Sequence, residues 1–321
     1  MQIARFDPLR LAPDVRELLA AMAASGAPPL ESLPLAQRRE AYRQIGARLG
    51  GEQLPVREVR ALLADGPAGE IPLRLYLPDK ADGVPYGVTV YLHGGGWTLG
   101  DLDSHDRICR RLVRASGCAV ASVDYRLAPE HPAPAGPEDV LAAIRWLASH
   151  AVSLGLDPER IAVAGDSAGG SLAAVACQRL RGEVPLRAQV LFYPSTDLSP
   201  AGEHYLSRQE NGAVPPLTLE LMRVLSSPFM DGFDTTDTRL SPLREMDLRN
   251  LPPALIVTAQ CDVLRDDGRY YRDALHAADV QVEYIEVPGM VHGFVEMAGV
   301  LPAAAEAIEY AGAYLRGILA G

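Results

Sequence analysis

The sequence predicts an α/β fold, with one mostly parallel sheet covered by helices on both faces. Three observations predict it. From about residue 56 short apolar, β-branched runs alternate with longer amphipathic ones, the order that builds β-α-β units. The short runs suit strands buried on both faces. The chain has 321 residues, 48% hydrophobic and 22% charged, which suits one large domain with insertions and a sizeable core.

Residues 1 to about 55 read as helical. Pro13-Asp14 opens a periodic run through Leu18, Leu19 and Met22 that ends at Gly26. Pro28-Pro29 separates it from a second run, Leu35–Leu49, closed by Gly50-Gly51. Val56–Ala64 and Ile71–Leu77 form a strand pair across a Gly-Pro turn. Val88–Leu92, Ala119–Val123, Ile161–Ala164 and Gln189–Tyr193 are further strands, with helices over 104–115, 138–151 and 167–181. Residues 197 to about 250 break the alternation. They are rich in Pro, Ser, Thr and Asp, with Leu217–Leu225 as a helix candidate; so long an irregular stretch in a compact domain is usually functional, often a lid. The pattern then resumes with strand Leu255–Ala259, helix Asp267–Ala278, strand Val282–Val287 and helix Ala303–Leu319.

The formal net charge is −11. An acidic chain offers no cationic surface to displace phosphate counterions, so no nucleic-acid partner is expected. Cys109, Cys118, Cys177 and Cys261 form no Cys-x-x-Cys pair and are read as reduced and mostly buried. The first eight residues lack a basic start with an apolar stretch behind it, so no secretory signal is expected. No apolar run is long enough to span a membrane. The expected location is cytoplasmic.

The most informative segment is Gly165-Asp-Ser167-Ala-Gly169, which follows an apolar strand and opens a helix rich in small residues. That context makes Gly-x-Ser-x-Gly a nucleophile elbow: small flanking residues let strand and helix approach, and the turn lifts the Ser167 hydroxyl above the sheet. The helix N-terminus aims N–H groups at developing negative charge. A plain strand-to-helix turn would also use glycines there, but leaves the other motifs unexplained. His93-Gly94-Gly95-Gly96-Trp97 follows strand Val88–Leu92. Three consecutive glycines cost backbone entropy and make sense where main-chain N–H groups face a ligand. The expected oxyanion-hole donors are the N–H groups of Gly94, Gly95 and Ala168. Trp97 is read either as pocket lining or as packing.

A triad needs a carboxylate and then a histidine after the serine. After Ser167 the histidines are His204, in the irregular stretch, His276, on the polar side of a predicted helix, and His292, in the loop after a late strand. His292 is the expected general base. Asp262, just past strand Leu255–Ala259, is the expected carboxylate that orients it. Asp266 and Asp267 are read as caps of the following helix.

Together, His93-Gly-Gly-Gly-Trp97, Asp124-Tyr-Arg-Leu-Ala-Pro-Glu130, Gly165-Asp-Ser-Ala-Gly-Gly170, Asp262-Val-Leu-Arg-Asp266 and His292-Gly-Phe294 resemble the bacterial hormone-sensitive-lipase family of carboxylesterases. The resemblance implies an α/β-hydrolase sheet of about eight strands. It implies a catalytic domain over 56–321 and a cap built from residues 1–55 and about 198–250. It further implies hydrolysis of short- to medium-chain esters, a small-molecule ester as substrate, and neither metal nor organic cofactor. Many relatives are dimers, so a homodimer is compatible with it. The same scaffold also carries amidases, lactonases and deacetylases, and pocket shape decides among them. One departure is visible: Val263 stands where the family usually has proline, which bears only on the local turn. The Asp124–Glu130 segment is expected to brace the glycine loop.

Overall fold

The computed structural model describes residues 7–79 and 84–320. The first six residues, part of the stretch read above for a secretory signal, lie outside them. Two helices come first, α1 (Pro13–Ala24) and α2 (Leu35–Leu49). The hairpin β1 (Glu58–Gly66) and β2 (Gly69–Leu77) follows. Then come β3 (Tyr86–Leu92), α3 (Asp106–Ser116), β4 (Ala119–Val123), α4 (Ala135–Leu154), β5 (Leu156–Asp166), α5 (Ala168–Arg179) and β6 (Leu186–Phe192). The Pro-rich stretch carries α6 (Leu206–Asn211) and α7 (Leu219–Met230). The chain closes with β7 (Ala254–Cys261), α8 (Arg265–Ala277), β8 (Val282–Val291) and α9 (Pro302–Leu319).

Among the described residues the strands form one eight-stranded sheet in the order β1-β2-β4-β3-β5-β6-β7-β8. β1 and β2 are antiparallel, β2 joins β4 antiparallel, and every pair from β4 to β8 is parallel. β3 pairs with both β4 and β5, so the chain runs outward from β3 in one direction and returns to continue in the other. The loops after β3 and β5 therefore leave neighbouring strands at a switch point, where open α/β sheets hold their ligands.

Side chains alternate between two cores, as the period of a strand demands. On β3, Val88, Val90 and Leu92 join the core that contains Val140, Ile144 and Leu147 of α4 and Leu172 and Ala173 of α5. Tyr91 faces the other core, with Ile108 and Leu112 of α3 and Ile308 and Leu315 of α9. A third, smaller cluster lies beyond the sheet: Leu99, Leu217, Leu221 and Leu225, with Val263 and Leu264, and with Leu30, Leu35 and Tyr42 packed against it. It joins the N-terminal helices and α7 to the loops after β3 and β7. Helix α6, which shows no apolar periodicity, was not expected from the sequence. β5 and β8 extend well beyond their apolar runs: β5 starts at Leu156 and β8 continues to Val291.

α9 packs on α3 through Gly312, whose Cβ, if added, would lie 2.2 Å from the Ala115 Cβ. Gly317, on the same helix, has open space beside it. Gly312→Val is expected to destabilise by about 1–3 kcal/mol through overpacking, read as a lower urea midpoint. Gly317→Ala is expected to stabilise by up to about 1 kcal/mol. Equal effects at the two positions would show that the α3–α9 contact is loose.

Candidate active site

The elbow is built by steric exclusion. A Cβ on Gly169 would lie 1.9 Å from the Leu92 carbonyl oxygen, and one on Gly165 would lie 2.4 Å from the Gly169 backbone. Only without those side chains can α5 sit against β3. Ser167, at the turn, has φ 55° and ψ −117°, a strained conformation for a residue with a Cβ. The surrounding ladder holds it: its N–H donates to Phe192 O at 2.9 Å, and its carbonyl accepts from Ser171 and Ser195.

Three of the expected residues meet here. His292 Nε2 lies 2.9 Å from Ser167 Oγ, and Nδ1 lies 2.7 Å from Asp262 Oδ2. The carboxylate only accepts, so Nδ1 carries the hydrogen and Nε2 presents a lone pair to the serine hydroxyl. The other Asp262 oxygen accepts the Leu264 N–H at 2.8 Å, which fixes the carboxylate plane. The turn closes without a proline at 263, through Arg265 N–H to Asp262 O. Asn211 of α6 donates to Asp262 O at 2.9 Å, while Ser207 and Arg208 donate to Val263 O. The insertion thus grips the backbone of the acid loop. Burial pushes the His292 imidazole down and the Asp262 carboxylate pulls it up; the attraction wins, and the group titrates above 6.5. His204 and His276 are exposed and away from this arrangement.

The glycine loop departs from expectation at one residue. Gly94 N–H donates to Asp166 Oδ1 at 3.1 Å, so it is spent inside the protein and cannot face a ligand. The N–H groups of Gly95, Gly96 and Ala168 have no hydrogen-bond acceptor among the described residues. The N–H groups left open are therefore those of Gly95, Gly96 and Ala168, with Gly96 where Gly94 was expected. Peptide planarity explains how it is aimed. C=O and N–H of a trans peptide point in opposite directions. Gly94 O is held by His93 Nδ1 at 2.8 Å, which turns the Gly95 N–H away from His93. One peptide earlier, Tyr125 O–H holds His93 O at 2.8 Å while Asp166 holds Gly94 N–H. Burial and the neighbouring His105 push His93 down to about 4, so it acts as a neutral donor.

The Asp124–Glu130 segment braces this loop as expected. Tyr125 stacks on His93, with centroids 4.3 Å apart, and Ala128 N–H donates to Trp97 O. Arg39 of α2 ties the same parts together, donating to Thr98 O and Ala128 O and pairing with Glu130. Trp97 is buried and stacks on Phe229 at 4.6 Å, which places it in packing. Cys109, Cys118, Cys177 and Cys261 are all buried.

Asp266 and Asp267 do not cap α8. They stand at its second and third positions, inside the first turn, and their carboxylates point outward. Asp266 accepts the Ser207 N–H, and Asp267 accepts those of Thr196 and Asp197 and pairs with Arg208 at 2.9 Å. They anchor the insertion instead. Burial raises Asp267 to about 7.

Sequence reasoning also missed the polar group behind the glycine loop: buried His105 and Asp166 with half-buried Glu296 and Tyr42. The signal for Asp166 was its place beside the serine inside the motif. His105 precedes Ser167, and a triad histidine must follow the serine, so chain order carried no signal for it.

A family model described as alpha/beta hydrolase fold matches residues 89–296. The chain is similar to carboxylesterase NlhH of Mycobacterium tuberculosis, 48% identical over 247 residues that cover 74% of this chain and 75% of that one. It is similar to esterase LipI of the same organism, 44% identical over 272 residues, with 83% and 84% covered. A solved structure of a hyperthermophilic esterase from the archaeon Pyrobaculum calidifontis superposes with a TM-score of 0.89 at 37% identity, covering 96% of this chain and 98% of that one. Among the described residues no helix is long and apolar enough to cross a membrane.

A phosphonofluoridate is expected to attach once, at Ser167, as read by peptide mass. Its capture rate should rise with pH through a midpoint above 6.5, as His292 loses its proton. In Asp262→Asn the midpoint should fall, because burial then acts without the opposing charge, and the plateau rate should drop. An unchanged midpoint would separate Asp262 from the charge state of His292.

Proposed function

The chain belongs to the α/β-hydrolase fold family, among its hormone-sensitive-lipase-like carboxylesterases, and on that premise we propose that it hydrolyses short- to medium-chain carboxylic esters through an acyl-enzyme on Ser167. The observation that carries this reading is the unbroken line Asp262–His292–Ser167 beside three unengaged N–H groups. His292 takes the Ser167 proton as Oγ attacks the ester carbonyl. The oxyanion forms between the N–H groups of Gly95, Gly96 and Ala168. His292 then protonates the departing alcohol. A water enters, His292 takes its proton, and the same donors stabilise the second oxyanion before the acid leaves.

Residues 1–55 and 198–250 serve as the cap in this reading. Leu225 of α7 meets Gly96 so closely that a Cβ there would lie 2.5 Å from the Leu225 Cβ. The apolar cluster of Leu99, Leu217, Leu221, Leu225, Val263 and Leu264 then supplies the wall against which an acyl chain stops. Such a surface suits neutral esters. A cytoplasmic location and a homodimer belong to the same proposal; a chain of 321 residues that buries all four of its cysteines needs no disulfide staple.

The test is a series of p-nitrophenyl esters from acetate to dodecanoate. Rates are expected to peak at short to medium chains and fall beyond. Ser167→Ala should lower kcat by a factor on the order of 10⁶, the scale of nucleophile deletions. Leu225→Ala should move the optimum to longer chains. Failure of the folded enzyme on every ester would favour an amidase or a deacetylase. An unchanged optimum in Leu225→Ala would take α7 out of the acyl pocket.

A further inference from the structure

Behind the glycine loop lies a second Asp–His pair that the mechanism above does not use. His105, at the start of α3, is fully buried, and its Nε2 lies 3.3 Å from the Asp166 carboxylate. Its Nδ1 lies 2.9 Å from Ser104 Oγ. The Ser104 hydroxyl has one hydrogen, and it goes to Asp101 O at 2.9 Å, while the same oxygen accepts the Asp101 N–H. With that hydrogen on Asp101 O, Ser104 offers His105 a lone pair and Nδ1 donates to it. Nε2 lies against the Asp166 carboxylate, to which an imidazolium donates, while the Gly94 N–H makes its shorter contact with Asp166 Oδ1, at 3.1 Å against 3.3 Å to Nε2. With a hydrogen on each ring nitrogen His105 is an imidazolium, and its ring is fully buried.

Asp166 shares its two oxygens among His105, the Tyr91 hydroxyl at 2.7 Å and the Gly94 N–H at 3.1 Å. A carboxylate buried this completely would protonate without a cation beside it, and a protonated Asp166 would be a weaker, reoriented acceptor for Gly94. His105 also faces the carboxyls of Glu296 and Asp101, and its ring neighbours are His93, Tyr91 and Tyr42. Burial raises Glu296, which hydrogen-bonds the Tyr42 hydroxyl, to about 7. Asp166 is held below its ordinary range and His105 above its own, since their mutual attraction outweighs burial.

We propose that His105 is a positioning residue: a buried imidazolium that keeps Asp166 ionised and in place, so that Asp166 holds the Gly94 N–H and with it the aim of the oxyanion loop. Asp166 also precedes Ser167, so one carboxylate registers the nucleophile elbow against the donors it must work with. The inference rests on the esterase reading for its kinetic consequence, but not for the charge state of His105. His105, Asp166 and Glu296 also offer ligand atoms within 4.8 Å of one another, a spacing a divalent cation could use. The Gly94 N–H, 3.1 Å from Asp166 Oδ1 and 3.3 Å from His105 Nε2, turns its hydrogen toward these ligand atoms and would repel a cation placed between them.

Three measurements decide it. In ¹⁵N-histidine spectra of the wild type at pH 7, His105 should show both nitrogens protonated; a neutral signal would overturn the proposal, whatever the activity. His105→Gln should lower kcat at least tenfold, below the roughly 10²–10³ lost with a deleted donor, while KM stays within a factor of about two. Adding Asp166→Asn to His105→Gln restores a neutral hydrogen-bonded pair and should recover most of kcat. A wild-type kcat in His105→Gln, or a double variant no better than the single, would overturn the proposal. So would a stoichiometric metal whose removal by EDTA abolishes activity and whose return as Zn²⁺ restores it. Activity surviving in Ser167→Ala would instead count against the esterase reading and leave the spectroscopic result standing.

Discussion

The hydrogen bond from Gly94 N–H to the Asp166 carboxylate joins the two halves of this site. One partner opens the glycine loop after β3, and the other is the last residue of β5, directly before Ser167. β3 and β5 are neighbours because the strand order turns at β3. α5 can sit against the end of β3 because Gly165 and Gly169 carry no side chain. Given those two conditions, the serine and the free N–H groups of Gly95, Gly96 and Ala168 are set against one another before any substrate arrives. Preorganised donors do not have to be assembled during the reaction, and that is where most of their value lies.

Two aspartate–histidine pairs of similar composition do different work here. In each, one imidazole nitrogen faces a carboxylate and the other faces a serine oxygen. Ser167 has a hydrogen to give, so His292 keeps a lone pair and can act as a base. Ser104 gives its hydrogen to Asp101 O, so in the proposed state His105 donates to it and stays charged. Exposure completes the contrast: His292 is reached from the site, whereas His105 is sealed beneath the loop. Residue type and spacing alone do not separate these roles; the partner on the far nitrogen does.

Much of this architecture was legible in the sequence, because it rests on local rules. The apolar runs at Val88–Leu92 and Ala119–Val123 became strands with those bounds or nearly so, and Leu35–Leu49 became α2. Ser167, Asp262 and His292 followed from chain order, which fixes the loops they occupy. What escaped was settled by three-dimensional donor accounting. Gly94 and Gly96 are identical in type, and only the Asp166 side chain tells which N–H is already taken. Asp266 and Asp267 resemble helix caps in spacing, yet they serve an insertion whose α6 carries no apolar period. Arg208 illustrates the same limit: a charged residue in an irregular stretch looks solvated, but here it is buried against Asp267 and the carbonyl of Val263.

The measurement that tests the account most directly is a crystal structure of the enzyme with an alkylphosphonate bonded to Ser167 Oγ. The account predicts the phosphoryl oxygen at roughly 2.7–3.1 Å from the nitrogens of Gly95, Gly96 and Ala168, with Gly94 N–H still on Asp166. A phosphoryl oxygen bound by Gly94, or turned away from the glycine loop, would contradict it.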